Sequence, residues 1–138
     1  MKPVVLADAG PLVALFNQRD LHHAWALARF REFIEPLVTA EAIMVEALHL
    51  LRRVPGGAEK LLILWSRGLV AIAFSAEAEK EALCRRMQRY KDVPISFADA
   101  CLVRLSEIHS RSAVWTVDND FRVYRRNGRQ SIPLLTRS

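Results

Sequence analysis

The sequence predicts an α/β fold in which a central parallel sheet is covered by helices on both faces, a three-layer α/β/α arrangement, and three observations lead there. Short apolar runs suited to buried strands occur at 3–7, 69–74 and 113–117. Longer stretches with helical spacing of apolar residues separate them, and strands alternating with helices imply parallel pairing. Two of the runs stop at an aspartate, Asp8 and Asp118. These aspartates fall at strand carboxyl ends, where sheets of this kind build their sites.

In chain order, residues 3–7 (PVVLA) read as a buried strand ending at Asp8. GPLVALFN follows as a helix, with Pro11 early in it, as at a helix start. Over 22–34, Trp25, Ala28 and Phe33 recur with charges between them, which predicts a helix. His22 and His23 lack metal-ligand companions and read as its start. PLVT at 36–39 fits either a connection or a short strand. AEAIMVEALHLLRR at 40–53 is a strong helix pattern ended by Pro55, Gly56 and Gly57. A further helix is expected over 58–66, with Gly68 behind it, then a strand over 69–74 (LVAIAF). Residues 76–90 predict an amphipathic helix, and Ser96 opens another with SFADACLVRLSEIHS. AVWTV at 113–117 is a strand ending at Asp118, and IPLL at 132–135 a short last one. Trp25, Trp65 and Trp115 each lie in an apolar pattern and are expected in the core.

The 138 residues suit one domain with its own core. A chain 51% hydrophobic and 25% charged is too apolar to be disordered. Cys84 and Cys101 lack zinc-ligand spacing and read as buried small hydrophobes in a reducing compartment. The first apolar run is broken by Asp8 before a signal-peptide core could form, and no stretch reaches ~18 uninterrupted apolar residues. The expected location is therefore the cytoplasm, with no membrane span. The net charge of +5 and pI near 9.8 favour encounters with polyanions, although many basic proteins bind no nucleic acid.

Against that basic background, four carboxylates stand in apolar company. Asp8 follows a strand, where an Asx turn or helix N-cap is the ordinary use of aspartate. At 100° per residue, Glu46 shares a helix face with Thr39, Ala42, Ile43 and Leu50. On such an apolar stripe an ionised group needs a cation, a metal or an edge position reaching water. Asp99 lies three residues after Ser96, the spacing of a capping box, yet a carboxylate there can also point over a strand end. Asp118 closes its strand within TVDNDF, with Thr116 and Asp120 at alternate positions. Each has an everyday alternative, so the combination carries the reading. Hard divalent cations such as Mg²⁺ take carboxylate and water oxygens. They also promote in-line displacement at phosphodiesters.

These segments resemble the PIN-domain family, particularly the VapC-type toxins of bacterial and archaeal toxin–antitoxin pairs, over nearly the whole chain. VVLADAGPLVALFNQRDLHHAWA is similar to the family's first strand and helix, with Asp8 as its first acid. VEALHLL matches the segment carrying the conserved glutamate, here Glu46, and SFADACLV the third motif, with Asp99. VWTVDNDFRVYRR resembles the fourth, with Thr116, Asp118 and Asp120 before Phe121. Many relatives carry Ser or Thr two residues after the first Asp, where this chain has Gly10, so that position is assigned no side-chain role.

The resemblance implies one PIN-like domain over 1–138 and a Mg²⁺- or Mn²⁺-dependent endoribonuclease that hydrolyses RNA by metal-activated water, leaving 5′-phosphate and 3′-hydroxyl ends. It also implies a homodimer and a cognate antitoxin whose tail covers the acidic groove. Asp8, Asp99 and Asp118 would hold the metal directly or through water. Glu46 would ligate it or orient the attacking water, Thr116 would support the shell by hydrogen bonding, and Asp120 is an accessory candidate. Basic residues cluster at Arg85, Arg86, Arg89 and Lys91, and again at Arg122, Arg125, Arg126 and Arg129. Either cluster can be a solvated face. The second follows Asp118 directly, so Arg122, Arg125 and Arg126 are the candidates for gripping RNA phosphates. A haloacid-dehalogenase phosphatase would need a second Asp at the position of Gly10. A receiver domain would need an acidic pair near the first strand end and a late lysine at another strand end. A catalytically inactive PIN-like module binding RNA or protein is the remaining alternative, and the intact acidic set argues against it.

Overall fold

A computed structural model describes residues 2–89 and 94–137. Its centre is a parallel sheet of β1 (Val4–Ala7), β2 (Leu37–Thr39), β3 (Val70–Ile72), β4 (Ser112–Trp115) and β7 (Leu134–Leu135), in the order β3-β2-β1-β4-β7. Six α-helices accompany it among the described residues: α1 (Ala9–Phe16), α2 (His23–Glu32), α3 (Glu41–Leu51), α4 (Gly57–Ser66), α5 (Lys80–Arg89) and α6 (Phe97–Ile108). The chain steps outward from β1 through β2 to β3, then crosses back to β4 on the other side of β1. Crossovers between parallel strands are right-handed, so this reversal places α1–α4 on one face and α5 and α6 on the other. The crevice that such a reversal opens lies above the carboxyl ends of β1 and β4.

Those two strands are in register along their length, from Val4 opposite Ser112 to Ala7 opposite Trp115. Every residue of β4 is buried, as are Leu6 and Ala7 of β1, the pattern of strands covered on both faces. Trp115 is fully buried, with Phe33 edge-on at 5.1 Å between ring centroids and the half-buried Trp25 at 6.0 Å. Leu12, Ile43, Leu61, Leu102 and Leu105 complete the packing on the two faces. Helix α4 ends where Gly68 takes φ 79, letting Leu69 N–H reach Leu64 O at 2.9 Å and Gly68 N–H reach Trp65 O at 3.0 Å. That pair of bonds is a Schellman closure.

Several expectations are corrected. In α2 the buried position is Ala26, and Ala28 is exposed, because the helix turns the stripe beside Trp25 toward α1. Trp65 is 46% exposed and Cys84 is exposed, whereas Cys101 is buried as expected. Helix α5 starts at Lys80 rather than 76, since Ser75 Oγ accepts from Ala78 N–H at 3.1 Å and holds residues 76–79 as turns. An antiparallel hairpin of β5 (Arg125–Arg126) and β6 (Gln130–Ser131) was not expected. Its turn uses Asn127 and Gly128 at φ 51 and 83, and Asn-Gly is a strong sequence signal for such a turn. Tyr90, the end of the 76–90 segment, and Lys91 lie outside the described residues. No helix among the described residues is long and apolar enough to cross a membrane.

Candidate metal centre

Asp8 sits where β1 hands over to α1. Its extended backbone (φ −85, ψ 165) makes it the N-cap, and its Oδ1 accepts from Ala9 N–H at 2.8 Å. The other oxygen, Oδ2, accepts from the Thr116 hydroxyl at 2.6 Å. That hydroxyl in turn accepts from Asp118 N–H at 2.9 Å. One fully buried threonine thus spends its single proton on Asp8 and its lone pair on the backbone of Asp118. It joins the carboxyl ends of β1 and β4. Asp118 caps a single 3-10 turn, Asn119–Arg122, by accepting from Asp120 N–H at 2.9 Å. Asp120 itself is exposed.

Asp99 arrives from the opposite layer, in the first turn of α6. Ser96 caps that helix by accepting from Asp99 N–H at 3.0 Å, which leaves the Asp99 carboxylate available. Tyr124, fully buried, donates its hydroxyl toward Asp99 Oδ2 at 3.3 Å. Burial, with Asp99 beside it, raises the Tyr124 phenol well above its ordinary range, so it stays a donor.

Asp8 and Asp118 thus serve as cap and turn residues, Asp99 is capped by Ser96 through its N–H, and the three carboxylates still converge. One oxygen from each of Asp8, Asp99 and Asp118 lies within 4.8 Å of the others. Trans oxygens on an octahedral Mg²⁺ are ~4.2 Å apart, from bonds of ~2.1 Å, so small rotations or one bridging water would close the group on an ion. Among the described residues, none of the ion pairs involves these three acids. Asp8, 6% exposed, is pushed up to about 6, chiefly by burial and further by Glu46 and Asp118, against the lowering effect of Thr116 and Ala9 N–H. Asp99 is pushed up to about 7 by burial, then by Asp8 and Asp118. A cation supplied between them would reverse both shifts, and the donor set is the oxygen set that a hard divalent ion takes.

Glu46 takes the edge position reaching water, one of the alternatives its helix stripe allowed. It is exposed on α3, whose buried stripe is Ile43, Met44, Ala47 and Leu51. It stands near enough to raise both Asp8 and Asp99 but outside the group of three. The basic clusters are also redistributed. Arg86 is 9% exposed, paired with Glu107 at 2.5 Å and donating to Arg125 O at 2.7 Å. Arg125 folds back on the carbonyls of Arg122, Val123 and Tyr124, while Arg126 donates to Ser106 O at 3.1 Å. Arg122 is exposed beside the 3-10 turn, its Nη2 3.5 Å from Thr136 Oγ1. Arg85 and Arg129 are exposed, and Arg89 donates to Gly128 O.

Two contributors escaped the sequence. Tyr124 gave no signal beyond an aromatic residue just downstream of Asp118. Gly10 has a steric reason: a Cβ there would lie 2.5 Å from Val117 Cγ2. A glycine lets the first turn of α1 press against the segment between Thr116 and Asp118, the close approach that a missing side chain permits.

No protein-family model matches the chain, and no curated protein matches it. Among solved structures it is similar to VapC20 of Mycobacterium tuberculosis, described as a sarcin-ricin loop cleaving toxin. The TM-score is 0.76 at 20% identity, over 86% of this chain and 93% of that one. At that identity the likeness shows the fold, and the three-layer architecture expected from the sequence is the fold of that toxin.

Proposed function

We propose that this chain is a PIN-domain endoribonuclease of the VapC type that cuts RNA with a divalent cation held by Asp8, Asp99 and Asp118. The carrying observation is the convergence of those three carboxylates, one oxygen of each within 4.8 Å of the others, at the switch point of the sheet. The fold shared with an RNA-cleaving toxin supports the choice of RNA as substrate. A bound Mg²⁺ or Mn²⁺ would supply charge to a phosphate oxygen and make water a stronger nucleophile.

The chain's own residues then have distinct tasks. Thr116 holds Asp8 in one rotamer and fixes the approach of Asp118. Glu46, exposed and near enough to raise Asp8 and Asp99, would accept a proton from water approaching the cluster. Asp120 is the accessory acid on the same turn as Asp118. Arg122, exposed beside the 3-10 turn, would meet an RNA phosphate, while Arg125 and Arg126 act by holding the segment after Asp118 in shape. A cytoplasmic homodimer kept silent by a cognate antitoxin belongs to the same reading, as does a single domain over 1–138.

Incubation with mixed RNA tests it. Cleavage is expected with Mg²⁺ or Mn²⁺, and none with chelator or in Asp8→Asn. Cleavage surviving in Asp8→Asn would assign the activity to a contaminant and refute the reading. An inert wild type in both ions would leave a binding module.

A further inference from the structure

Asp8 has both oxygens held, by Ala9 N–H and the Thr116 hydroxyl, and Asp118 has one held by Asp120 N–H. Asp99 projects from a helix on the other face, and among the described residues Tyr124 supplies the hydrogen bond to its side chain. We propose that Tyr124 is a positioning residue for the metal group: its buried hydroxyl sets the rotation of the Asp99 carboxylate, so that Asp99 presents an oxygen to the point shared by Asp8 and Asp118. The inference rests on the metal-site reading above and adds a residue to it.

Three observations carry the assignment. First, Tyr124 cannot swing freely. It is fully buried, its ring meets Phe121 edge-on at 5.3 Å and 80°, and its backbone N–H reaches Asp120 O at 3.3 Å. The rigid segment Asp118–Tyr124 therefore carries one acid of the group at its start and the clamp on another at its end. Second, among the described residues the hydroxyl has a choice of acceptors, with Pro94 O at 3.4 Å against Asp99 Oδ2 at 3.3 Å. An ionised carboxylate is a stronger acceptor than a neutral peptide carbonyl, so the hydroxyl favours Asp99 once that group is ionised. Third, a phenol is uncharged. An arginine or lysine in its place would orient Asp99 and also cancel the negative field that attracts a cation. Tyr124 does the first without the second, as outer partners of metal ligands do.

Calorimetric titration of the purified chain with Mn²⁺ tests this. Tyr124→Phe removes one oxygen and keeps the ring. It is expected to bind Mn²⁺ about 10-fold or more weakly, the loss typical of removing an outer partner, with the melting temperature of the metal-free protein changed by only a few degrees. Its RNA cleavage should fall at low Mn²⁺ and return as Mn²⁺ is raised, which a purely structural role would not produce. In an Asp99→Asn background the same substitution should cost no further affinity. Tyr124→Phe with wild-type Mn²⁺ affinity would overturn the role of Tyr124 and leave the site reading standing. A wild type that takes up no Mn²⁺ would overturn both.

Discussion

Two buried or half-buried acidic groups of this molecule are treated in opposite ways. At the far end of α6, Glu107 is 7% exposed and meets Arg86 at 2.5 Å and Arg104 at 3.1 Å. Arg104 also meets Glu79 at 2.5 Å, and Glu107 accepts from Asn127 N–H at 2.5 Å. Each charge there has its complement, and the network ties α5, α6 and the β5–β6 hairpin together. At the near end of α6, Asp99, Asp8 and Asp118 face one another with hydroxyls and backbone N–H groups as partners and, among the described residues, no ion-paired cation. Among the described residues, the same fold thus neutralises its acids where they hold elements together, and pairs no cation with those above the strand ends. Uncompensated charge is retained at a cost to stability, and that is where binding chemistry is concentrated.

Substitutions in the two regions should separate cleavage from stability. The largest effect is expected from Asp8→Asn, which should lower RNA cleavage by about 10²-fold or more, the scale of losing one transition-state charge contact, while leaving the fold intact. Cleavage rates beside a circular dichroism spectrum check it. Arg86→Ala should do the reverse. It leaves Glu107 with Arg104 as its remaining cation and frees Arg125 O, a loss of about 1.5–3 kcal/mol, visible in chemical denaturation, with cleavage per folded molecule retained. Thr116→Val should be intermediate, costing about 10–100-fold in Mn²⁺ affinity or activity through the freed Asp8 carboxylate. If Arg86→Ala silenced cleavage while the protein stayed folded, the two regions would be one functional unit and the contrast would fail.

The smallest effect is a pH dependence. Asp8 and Asp99 are raised from 3.8 to about 6 and about 7 in the folded protein. Between about pH 4 and pH 7 the folded state therefore holds more protons than the unfolded chain, so metal-free stability falls as pH rises through that window. Thermal unfolding of the wild type against Asp8→Asn should show a shallower fall in the variant. Mn²⁺ affinity should climb through the same range, because the ion competes with those protons.

The sequence made some of this legible for identifiable reasons. Asp8 and Asp118 announce themselves because they end the apolar runs that became β1 and beside-it β4. Ser96 reveals Asp99, since a cap and its third residue are local. Glu46 was left between a buried and an edge position because Ala42 and Leu50 are as apolar as the buried stripe of Ile43, Met44, Ala47 and Leu51, and a helical wheel cannot say which stripe meets the sheet. Arg86 reads as a surface arginine until Glu107, 21 residues on, is placed against it. Tyr124 touches Asp99 across 25 residues, and a tertiary contact of that kind leaves no periodic trace.

The most direct test is thermal unfolding of the wild type and Asp8→Asn, each with chelator and with millimolar Mg²⁺ or Mn²⁺. A ligand that binds only the folded state raises its melting temperature. The account requires a clear rise for the wild type and little or none for Asp8→Asn. A wild type that melts at the same temperature with and without either ion would contradict it.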